Sequence, residues 1–430
     1  MKIIRKIFKV LGLLLLSAVL LIAAADAAWI YVPQIKAAGK SGDVDAYARS
    51  TGDITVPGSP EIIALGEASH GNADFQTLRL TVLKQLVENN GVRAFALEAD
   101  FSEAMIVDRY ILGGEGTAED AVSALSFTIY HTVQMAELVQ WMREYNDAAP
   151  EDGKLSFYGF DMQNPLSGLR LLSEFCAENS VLDDQDAADK LAALAADGAD
   201  FSALCESSDF GIVRAVRDEL ADNSAQYENG SDRARILRAA DCILQAAALA
   251  QAHAGDDYIK YNNIRDGFMA ENVQWILEHE QSLGRAAIMI SGHDGHVAAK
   301  APYYTPMGAQ LKTQYADKYF IIGTDYFKTV CNINSSDGSG RGDHSFCSAD
   351  PLAAHAKRLG GSYYLSFADV PADSETYSAL HSPMTMGSLG EGYSFLMELI
   401  PTSHRVQDVP AELYDAMIFV YKASPIDLLA

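Results

Sequence analysis

Short apolar runs recur along the chain, and most of them are closed by a polar residue or a glycine. Runs of this length and punctuation are typical of buried strands. The predicted strands are Glu61–Leu65, Ala94–Leu97, Leu155–Gly159, Ala286–Ile290, Phe320–Gly323, Tyr363–Phe367 and Ala416–Tyr421. Segments with helical spacing of apolar residues separate most of them, such as Phe75–Asn89 and Val133–Tyr145. This alternation predicts an α/β fold with a mainly parallel central sheet and flanking helices.

The segment from about residue 167 to 284 breaks the alternation. It is rich in Ala, Leu, Asp and Gln, contains runs such as Ala187–Ala196, and has no convincing strand pattern. We interpret it as a helical insertion lobe over the carboxyl edge of the sheet, within one domain that spans residues 33–430. Arg265 is predicted to begin the helix that leads back to the sheet. A cation in the first turn opposes the helix dipole, so we expect a specific anionic partner for it.

The first 32 residues are predicted to be a targeting segment. Four basic residues lie within the first nine positions and precede an uncharged apolar run from Val10 to Ala25. Small residues around Asp26 favour a cleaved signal peptide, whereas Trp29 and Tyr31 suit the membrane interface of an uncleaved anchor. Both alternatives place the rest of the chain outside the cytoplasm, either secreted or held at a membrane by its N-terminus.

The net charge of the chain limits the binding partners that are expected. The formal net charge of -26 gives a surface that repels DNA and RNA, so no nucleic-acid partner is expected, and a neutral or cationic small molecule is favoured. The five cysteines show no CxxC spacing, and their odd number leaves at least one thiol unpaired. If a disulfide forms, we expect it between Cys331 and Cys347.

Polar residues follow the predicted strands at the point where each strand ends. In parallel sheets that edge is where ligands bind. A single carboxylate there is often only a helix cap, but the set is large enough to predict a site. Its members are Glu67, His70, Glu98, Asp161, His293 and His296.

These residue types suit the activation of water. A histidine can take a proton from water near neutral pH, and a neighbouring carboxylate fixes its tautomer. Glu67 and His70 stand three residues apart, which places them on one face if the segment is helical. Ser69 lies in no GxSxG elbow, so a serine nucleophile is not predicted. His293 and His296 with a carboxylate could instead bind a divalent metal.

The residues at these strand ends resemble the erythromycin esterase family. The similar blocks, in chain order, are Gly66–Gly71, Phe95–Glu98, Gly159–Gln163, Arg265–Trp275, Gly292–His296, Met307-Gly308 and Tyr414–Phe419. They correspond to the Gly-Glu-x-x-His-Gly, Arg-Asp-x-x-Met-x-x-Asn-x-x-Trp and Gly-His-Asn-x-His patterns of the family, among others. The resemblance covers roughly residues 55 to 425.

The resemblance implies ester hydrolysis, typically the opening of a macrolactone ring, in a cleft between the α/β core and a helical lobe. It implies that His70 is the general base and Glu67 its partner. The other residues that it places in the site are Glu98, Arg79, Arg265, His293 and His296. We expect Glu98, His293 and His296 to be catalytic groups and Arg79, Asp161, Arg265 and Asp294 to be substrate-binding groups.

Two features depart from the family pattern. Asp294 stands where the family usually has Asn, which would add negative charge beside the two histidines. The export segment is foreign to the cytoplasmic members that confer antibiotic resistance, so the ester substrate need not be a macrolide. No cofactor is predicted. Two alternatives stay open, a metal-dependent hydrolase on the same residues and a non-catalytic envelope protein that binds a ligand.

Overall fold

The computed structural model describes residues 2–39, 42–182, 184–196, 205, 210–223, 230–253 and 257–429. The α-helices within these residues are α1 (Lys2–Ala37), α2 (Ala73–Asn89), α3 (Phe101–Ile111), α4 (Ala118–Val122), α5 (Val133–Ala148), α6 (Leu166–Asn179), α7 (Gln185–Leu194), α8 (Gly211–Asp222), α9 (Gly230–His253), α10 (Tyr258–Ser282), α11 (Asp294–Val297), α12 (Met307–Tyr315), α13 (Pro351–Leu359), α14 (Glu375–Leu380), α15 (Leu396–Leu399) and α16 (Pro410–Leu413). The strands are β1 (Ile62–Glu67), β2 (Val92–Asp100), β3 (Ser156–Asp161), β4 (Ala287–His293), β5 (Tyr319–Ser335), β6 (Arg341–Cys347), β7 (Tyr363–Ser366), β8 (Met384–Gly387), β9 (Gly392–Tyr393), β10 (Arg405–Asp408) and β11 (Ala416–Ala423).

Nine of these strands form one sheet with the order β3-β2-β4-β1-β5-β11-β7, to which β6 and β9 add at β5. The strands from β3 to β11 in this order are parallel, whereas β7 and β6 run antiparallel to their neighbours. Strands β8 and β10 form a separate antiparallel pair. The prediction of an α/β fold with a mainly parallel sheet is confirmed.

Two apolar cores cover the two faces of the sheet, because successive strand residues point to opposite sides. In β1, Ile62 and Ala64 face one core, and Ile63 and Leu65 face the other. Helices α2 and α5 pack on the Ile63 side, and helices α6 to α10 pack on the Ile62 side. Burial on both faces explains why the strands read as continuous apolar runs.

The elements described between residues 167 and 284 are all helices, joined by turns and short loops, and they lie along one face of the sheet. The segment reaches the carboxyl edge through α10, which runs beside β3 so that Glu280 accepts a hydrogen bond from Tyr158 and Arg265 contacts Asp161. The prediction that Arg265 begins a helix is wrong. Helix α10 starts at Tyr258, because Asp257 caps it by accepting a hydrogen bond from the backbone N–H of Lys260.

Most of helix α1 is apolar and exposed, and among the described residues only its C-terminal turns contact the domain. It is long and apolar enough to span a membrane, with a mean hydropathy of 2.6 over its most apolar window, a property that signal sequences share. Its last turns contact the domain. Gln34 donates a hydrogen bond to the carbonyl of Phe327, and Arg405 donates one to the carbonyl of Ile30.

The disulfide considered for Cys331 and Cys347, on the condition that one forms, is not present. All five cysteines lie among the described residues, and all have free, buried thiols. In the β5–β6 ladder Cys347 lies opposite Lys328 and Cys331 lies opposite His344. The two cysteines are therefore three positions apart along the ladder, about 10 Å, and on opposite faces, which is outside disulfide geometry.

Candidate active site

Two loops meet at the carboxyl edge because β1 and β4 are neighbours and pair Gly66 with Gly292. A Cβ on Gly66 would lie 1.8 Å from a carboxyl oxygen of Asp294, and one on Gly292 would lie 2.8 Å from Oε2 of Glu98. The absence of a side chain at both positions lets these carboxyl groups pack directly against the backbone. This close packing explains why both motifs have glycine at these positions.

Three residues form a hydrogen-bonded relay that ends at the cavity. Nδ1 of His70 lies 2.5 Å from Oε1 of Glu67, and Nη2 of Arg79 donates to Oε2 of the same carboxylate at 2.6 Å. Arg79 is further held by Ser291 and lies over the ring of Tyr130. With Nδ1 donating to Glu67, the neutral tautomer of His70 leaves Nε2 as the proton acceptor.

The charges in this relay favour a basic His70. Burial alone would lower the pKa of His70, but its hydrogen bond to Glu67 and the nearby carboxylate charges raise it above the ordinary value. Burial likewise opposes ionisation of Glu67, but Arg79 and His70 hold its pKa below the usual range. Glu67 is therefore a carboxylate at neutral pH and can stabilise the imidazolium that forms when His70 takes a proton.

His293 has the opposite character. Its Nδ1 accepts a hydrogen bond from the backbone N–H of Gly295, so the neutral ring carries its proton on Nε2. Burial and the positive charges of His70 and His296 lower the pKa of His293 to about 3, which keeps the ring neutral. Nε2 is buried and has no hydrogen-bond partner among the described residues. The ring centroids of His70 and His293 are 5.0 Å apart, so the two rings are neighbours at this edge of the sheet.

Arg265 joins the carboxylates at the ends of β2 and β3. Its guanidinium donates to Glu98 at 2.8 Å and to Asp161 at 2.7 Å. Glu98 also accepts a hydrogen bond from the backbone N–H of His293 at 2.7 Å. Nη1 of Arg265 lies 3.0 Å from Nε2 of His296. The anionic partner expected for Arg265 is thus a pair of buried carboxylates, and the cluster fixes the backbone that carries His293.

A cavity of about 400 Å³ opens at this edge of the sheet, at the small end of the range for ligand sites. The predicted site residues that line it are His70, Arg265, His293, Asp294 and His296. The others lie behind them and are buried, and they are Glu67, Arg79, Glu98 and Asp161. Arg79 and Asp161 were predicted to bind substrate, but neither lines the cavity. Arg79 donates to Glu67, which holds His70, and Asp161 accepts a hydrogen bond from Arg265, which lines the cavity.

The opposite wall of the cavity comes from the region of β8 and β10. Met386, Ser388 and Gly390 line it with Val406. This wall is attached to the loop that carries His70, since the N–H of His70 donates to the carbonyl of Leu389 at 3.0 Å. No sequence pattern singled out this wall, because its strands are short and its residues are small or apolar.

Ser69 does not face the cavity. Its side chain is buried, and its hydroxyl donates to the carbonyl of His70 at 3.0 Å. His70 rather than Ser69 lines the cavity at this position, which agrees with the missing GxSxG elbow.

The residues proposed as metal ligands are engaged in other contacts. Nδ1 of His296 lies 2.9 Å from Asp266, and a metal at Nε2 would face the guanidinium of Arg265. Nδ1 of His293 is occupied by a backbone N–H. Among the described residues, no group of three His, Cys, Asp or Glu side chains is arranged to hold a metal ion. These donors do not fit a divalent cation.

Two further residues belong to the site and were not predicted. Asp266 orients His296 and also accepts a hydrogen bond from the backbone N–H of Met307 at 2.8 Å. Its signal was present in the Arg-Asp pair of the α10 motif. Tyr304 lines the cavity and donates to the carbonyl of Gly295, whereas its neighbour Tyr303 is exposed.

The family model for erythromycin esterase matches residues 87–423. The chain belongs to the erythromycin esterase family. At the family level it is an ester hydrolase, and the resemblance found in the sequence is confirmed. The erythromycin esterase type II of Escherichia coli is 28% identical over 307 residues, which cover 62% of this chain and 69% of that protein.

Solved structures share the fold of this erythromycin esterase family member. A protein from Bacillus cereus has a TM-score of 0.75 at 21% identity, covering 92% of this chain and 99% of its own. A succinoglycan biosynthesis protein has a TM-score of 0.71 at 16% identity, with coverage of 92% and 99%. An erythromycin esterase variant in its open conformation has a TM-score of 0.61 at 17% identity, with coverage of 86% and 93%.

Asp294, which replaces the Asn of the erythromycin esterase pattern, adds no charge beside the histidines. Its carboxyl group accepts hydrogen bonds from the backbone N–H of Thr324 at 3.3 Å. Burial raises the pKa of Asp294 well above the ordinary value, and the charges of Asp325 and Glu67 raise it further. The group is therefore a neutral acid that occupies the position as an amide would.

We expect Asp294→Asn to stabilise the folded protein increasingly as the pH rises from 4 to 7. The raised pKa means that the folded wild type keeps a proton that the unfolded chain releases above about pH 4. Wild-type stability therefore falls with rising pH through this group, and the Asn variant lacks the penalty. Denaturant unfolding at several pH values measures the difference. Asp53→Asn, at an exposed position, is the control. A difference that shrinks with rising pH would contradict the neutral acid.

Proposed function

We propose that this erythromycin esterase family member hydrolyses a carboxylic ester outside the cytoplasm, with His70 as the base that activates water. The observation that carries the proposal is the Arg79–Glu67–His70 relay, which ends with Nε2 of His70 at the cavity. A binding protein has no need of a basic histidine held by a buried carboxylate and arginine. The long apolar α1 supports a membrane anchor.

In the proposed reaction, Nε2 of His70 takes a proton from water while the water oxygen attacks the ester carbonyl carbon. The carbonyl electron pair moves to its oxygen and gives a tetrahedral oxyanion. When the intermediate collapses, the bond to the alkoxy oxygen breaks and the imidazolium of His70 returns its proton to that oxygen. The products are a carboxylic acid and an alcohol, and Glu67 stabilises the imidazolium between the two steps.

His293 suits the role of oxyanion donor. Its Nε2–H is buried, has no acceptor among the described residues, and lies next to His70. A neutral hydrogen-bond donor that is already oriented before the reaction stabilises the intermediate most strongly when negative charge develops on the carbonyl oxygen. Glu98 and Arg265 hold the backbone of His293 in place and act as positioning residues.

The substrate proposed is a neutral or cationic ester that need not be a macrolide. The net charge of -26 disfavours anionic substrates, and the cavity of about 400 Å³ favours a compact ester or one that leaves part of its bulk outside. Hydrolysis of esters from p-nitrophenyl acetate to macrolactones, with and without a chelator, tests the proposal. We expect hydrolysis of at least one ester, unaffected by the chelator.

Two results of that screen would favour the alternatives. Loss of activity on chelation, with recovery on adding a divalent metal, would indicate a metal-dependent hydrolase on the same residues. Binding of an ester without turnover would indicate a non-catalytic ligand-binding protein.

The rate of hydrolysis by the wild type should rise with pH as His70 loses its proton, with a midpoint above that of an ordinary histidine. Glu67→Gln removes the negative charge and replaces a charge-assisted hydrogen bond by a weaker neutral one, so burial then dominates the pKa of His70 and the midpoint should shift to lower pH. The plateau rate should also fall, because the imidazolium loses its partner. The measurement is kcat/KM from pH 5 to 9. Glu88→Gln on α2, at an exposed position, should leave the profile unchanged.

A further inference from the structure

The segment between β9 and β10 exposes a cluster of large apolar side chains. Phe395 and Leu396 are 63% and 58% exposed, and Leu399 and Ile400 are more than one third exposed. Met397 is half-buried and packs against the domain. A contiguous apolar surface of this kind on a folded domain marks a contact with a partner or a membrane.

This apolar segment lies beside the place where α1 leaves the domain. Glu398 and His404 line a small cavity together with Ile30 and Gln34 of α1. Arg405, which follows the segment, donates a hydrogen bond to the carbonyl of Ile30 at 3.0 Å. The segment and the last turns of α1 therefore form one continuous surface.

The apolar run of α1 ends at Ala25, five residues before Ile30. Five residues of helix correspond to about 8 Å, so a bilayer that holds this run would reach nearly to the domain surface. Trp29 lies in between and Tyr31 directly follows Ile30; both are about half exposed, as is typical of side chains at a membrane interface. If α1 is held in a bilayer, the apolar segment lies close to the boundary between lipid headgroups and acyl chains.

We propose that residues 395–400 form a second membrane contact, which dips into the headgroup–acyl boundary of the same bilayer that α1 enters. The inference rests on α1 being retained as an anchor. Lipid is favoured over a protein partner because the surface is continuous with the apolar helix. The contact also orients the catalytic cavity, because Met386 and Ser388, which precede the segment, and Val406, which follows it, line that cavity.

The full-length protein in phosphatidylcholine vesicles provides the test. Leu396→Cys is labelled with an environment-sensitive fluorophore, and quenching by aqueous iodide and by lipid-attached spin labels is compared. The five native cysteines are buried, so the wild type supplies the labelling background. Leu283→Cys is the matched control, since Leu283 is 48% exposed and follows α10 at the opposite edge of the sheet.

We expect the label at position 396 to be quenched by the lipid probe and shielded from iodide at least several-fold relative to position 283.

Three outcomes would overturn the second contact. The first is equal iodide quenching at both positions in protein that resists carbonate extraction from the vesicles, which would leave the anchor intact. Extraction of the whole chain by carbonate would instead remove the anchor on which the inference rests. Shielding that appears only at high protein density would identify a second copy of the chain as the occupant and also overturn it. None of these outcomes depends on ester hydrolysis, so failure here is distinct from failure of the catalytic proposal.

Discussion

Replacing His70 by Asn should lower kcat/KM for ester hydrolysis by about a hundredfold or more, the usual scale for the loss of a positioned general base. An asparagine amide has no basic nitrogen and cannot take a proton from water at neutral pH. The variant should still fold, because Arg79 remains paired with Glu67 and leaves no buried carboxylate without a cation. Steady-state kinetics and denaturant unfolding measure the two effects separately.

His381→Asn is the matched control for this substitution. His381 is exposed, stacks on Tyr377 and lies outside the residues that line the cavity. Its replacement should leave kcat/KM unchanged. A His70→Asn variant that is folded and hydrolyses its ester at the wild-type rate would contradict the role of His70 as the base.

Replacing Arg265 by Met should destabilise the protein by about 3–5 kcal/mol, the usual cost of removing one partner from a buried ion pair. Met fills a similar volume but leaves Asp161 buried without a cation and leaves Glu98 with only His296, 3.4 Å away, as a cationic partner. Hydrolysis should also fall, because Glu98 holds the backbone of His293. Denaturant unfolding of the wild type and the variant measures the loss of stability.

Two comparisons separate the charge effect from lost packing. Adding Asp161→Asn to the Arg265→Met variant should recover part of the stability, since it removes one of the unpaired charges. Arg109→Met, at an exposed position, should change the unfolding free energy by less than about 0.5 kcal/mol. If Arg265→Met were as stable as the wild type, the two carboxylates would not need this cation.

The sequence predicted the central sheet well because each core strand is buried on both faces and reads as an apolar run. It also predicted which residues come together, because the ends of parallel neighbours such as β1 and β4 meet at one edge. It could not predict their depth. Arg79 and Asp161 lie behind the cavity. The sequence does not distinguish a charged residue in a buried ion pair from one that is exposed in a binding site.

Other failures have local physical causes. The start of α10 was misplaced because the cap at Asp257 lies eight residues before Arg265, the first residue of the motif. The wall from Met386 to Gly390 carries no charged or periodic pattern and becomes visible only when tertiary contacts bring it to His70. The neutrality of Asp294 follows from burial, which the sequence does not report.

The family match begins at residue 87 and therefore does not include Glu67, His70 or Arg79. The assignment of these three residues depends on geometry, namely the relay that joins them and the position of His70 at the cavity. From this geometry we infer the central claim, that His70 acts as a base on water.

Chemical rescue of His70→Ala by added imidazoles tests that claim most directly. The truncated side chain leaves space beside Glu67 in which a free imidazole can bind and take the proton from water. We predict that imidazole restores part of the hydrolysis and that, among derivatives of similar size, the restored rate increases with the basicity of the ring. Hydrolysis by folded His70→Ala at the wild-type rate without imidazole, or a rescue that does not depend on basicity, would contradict the account.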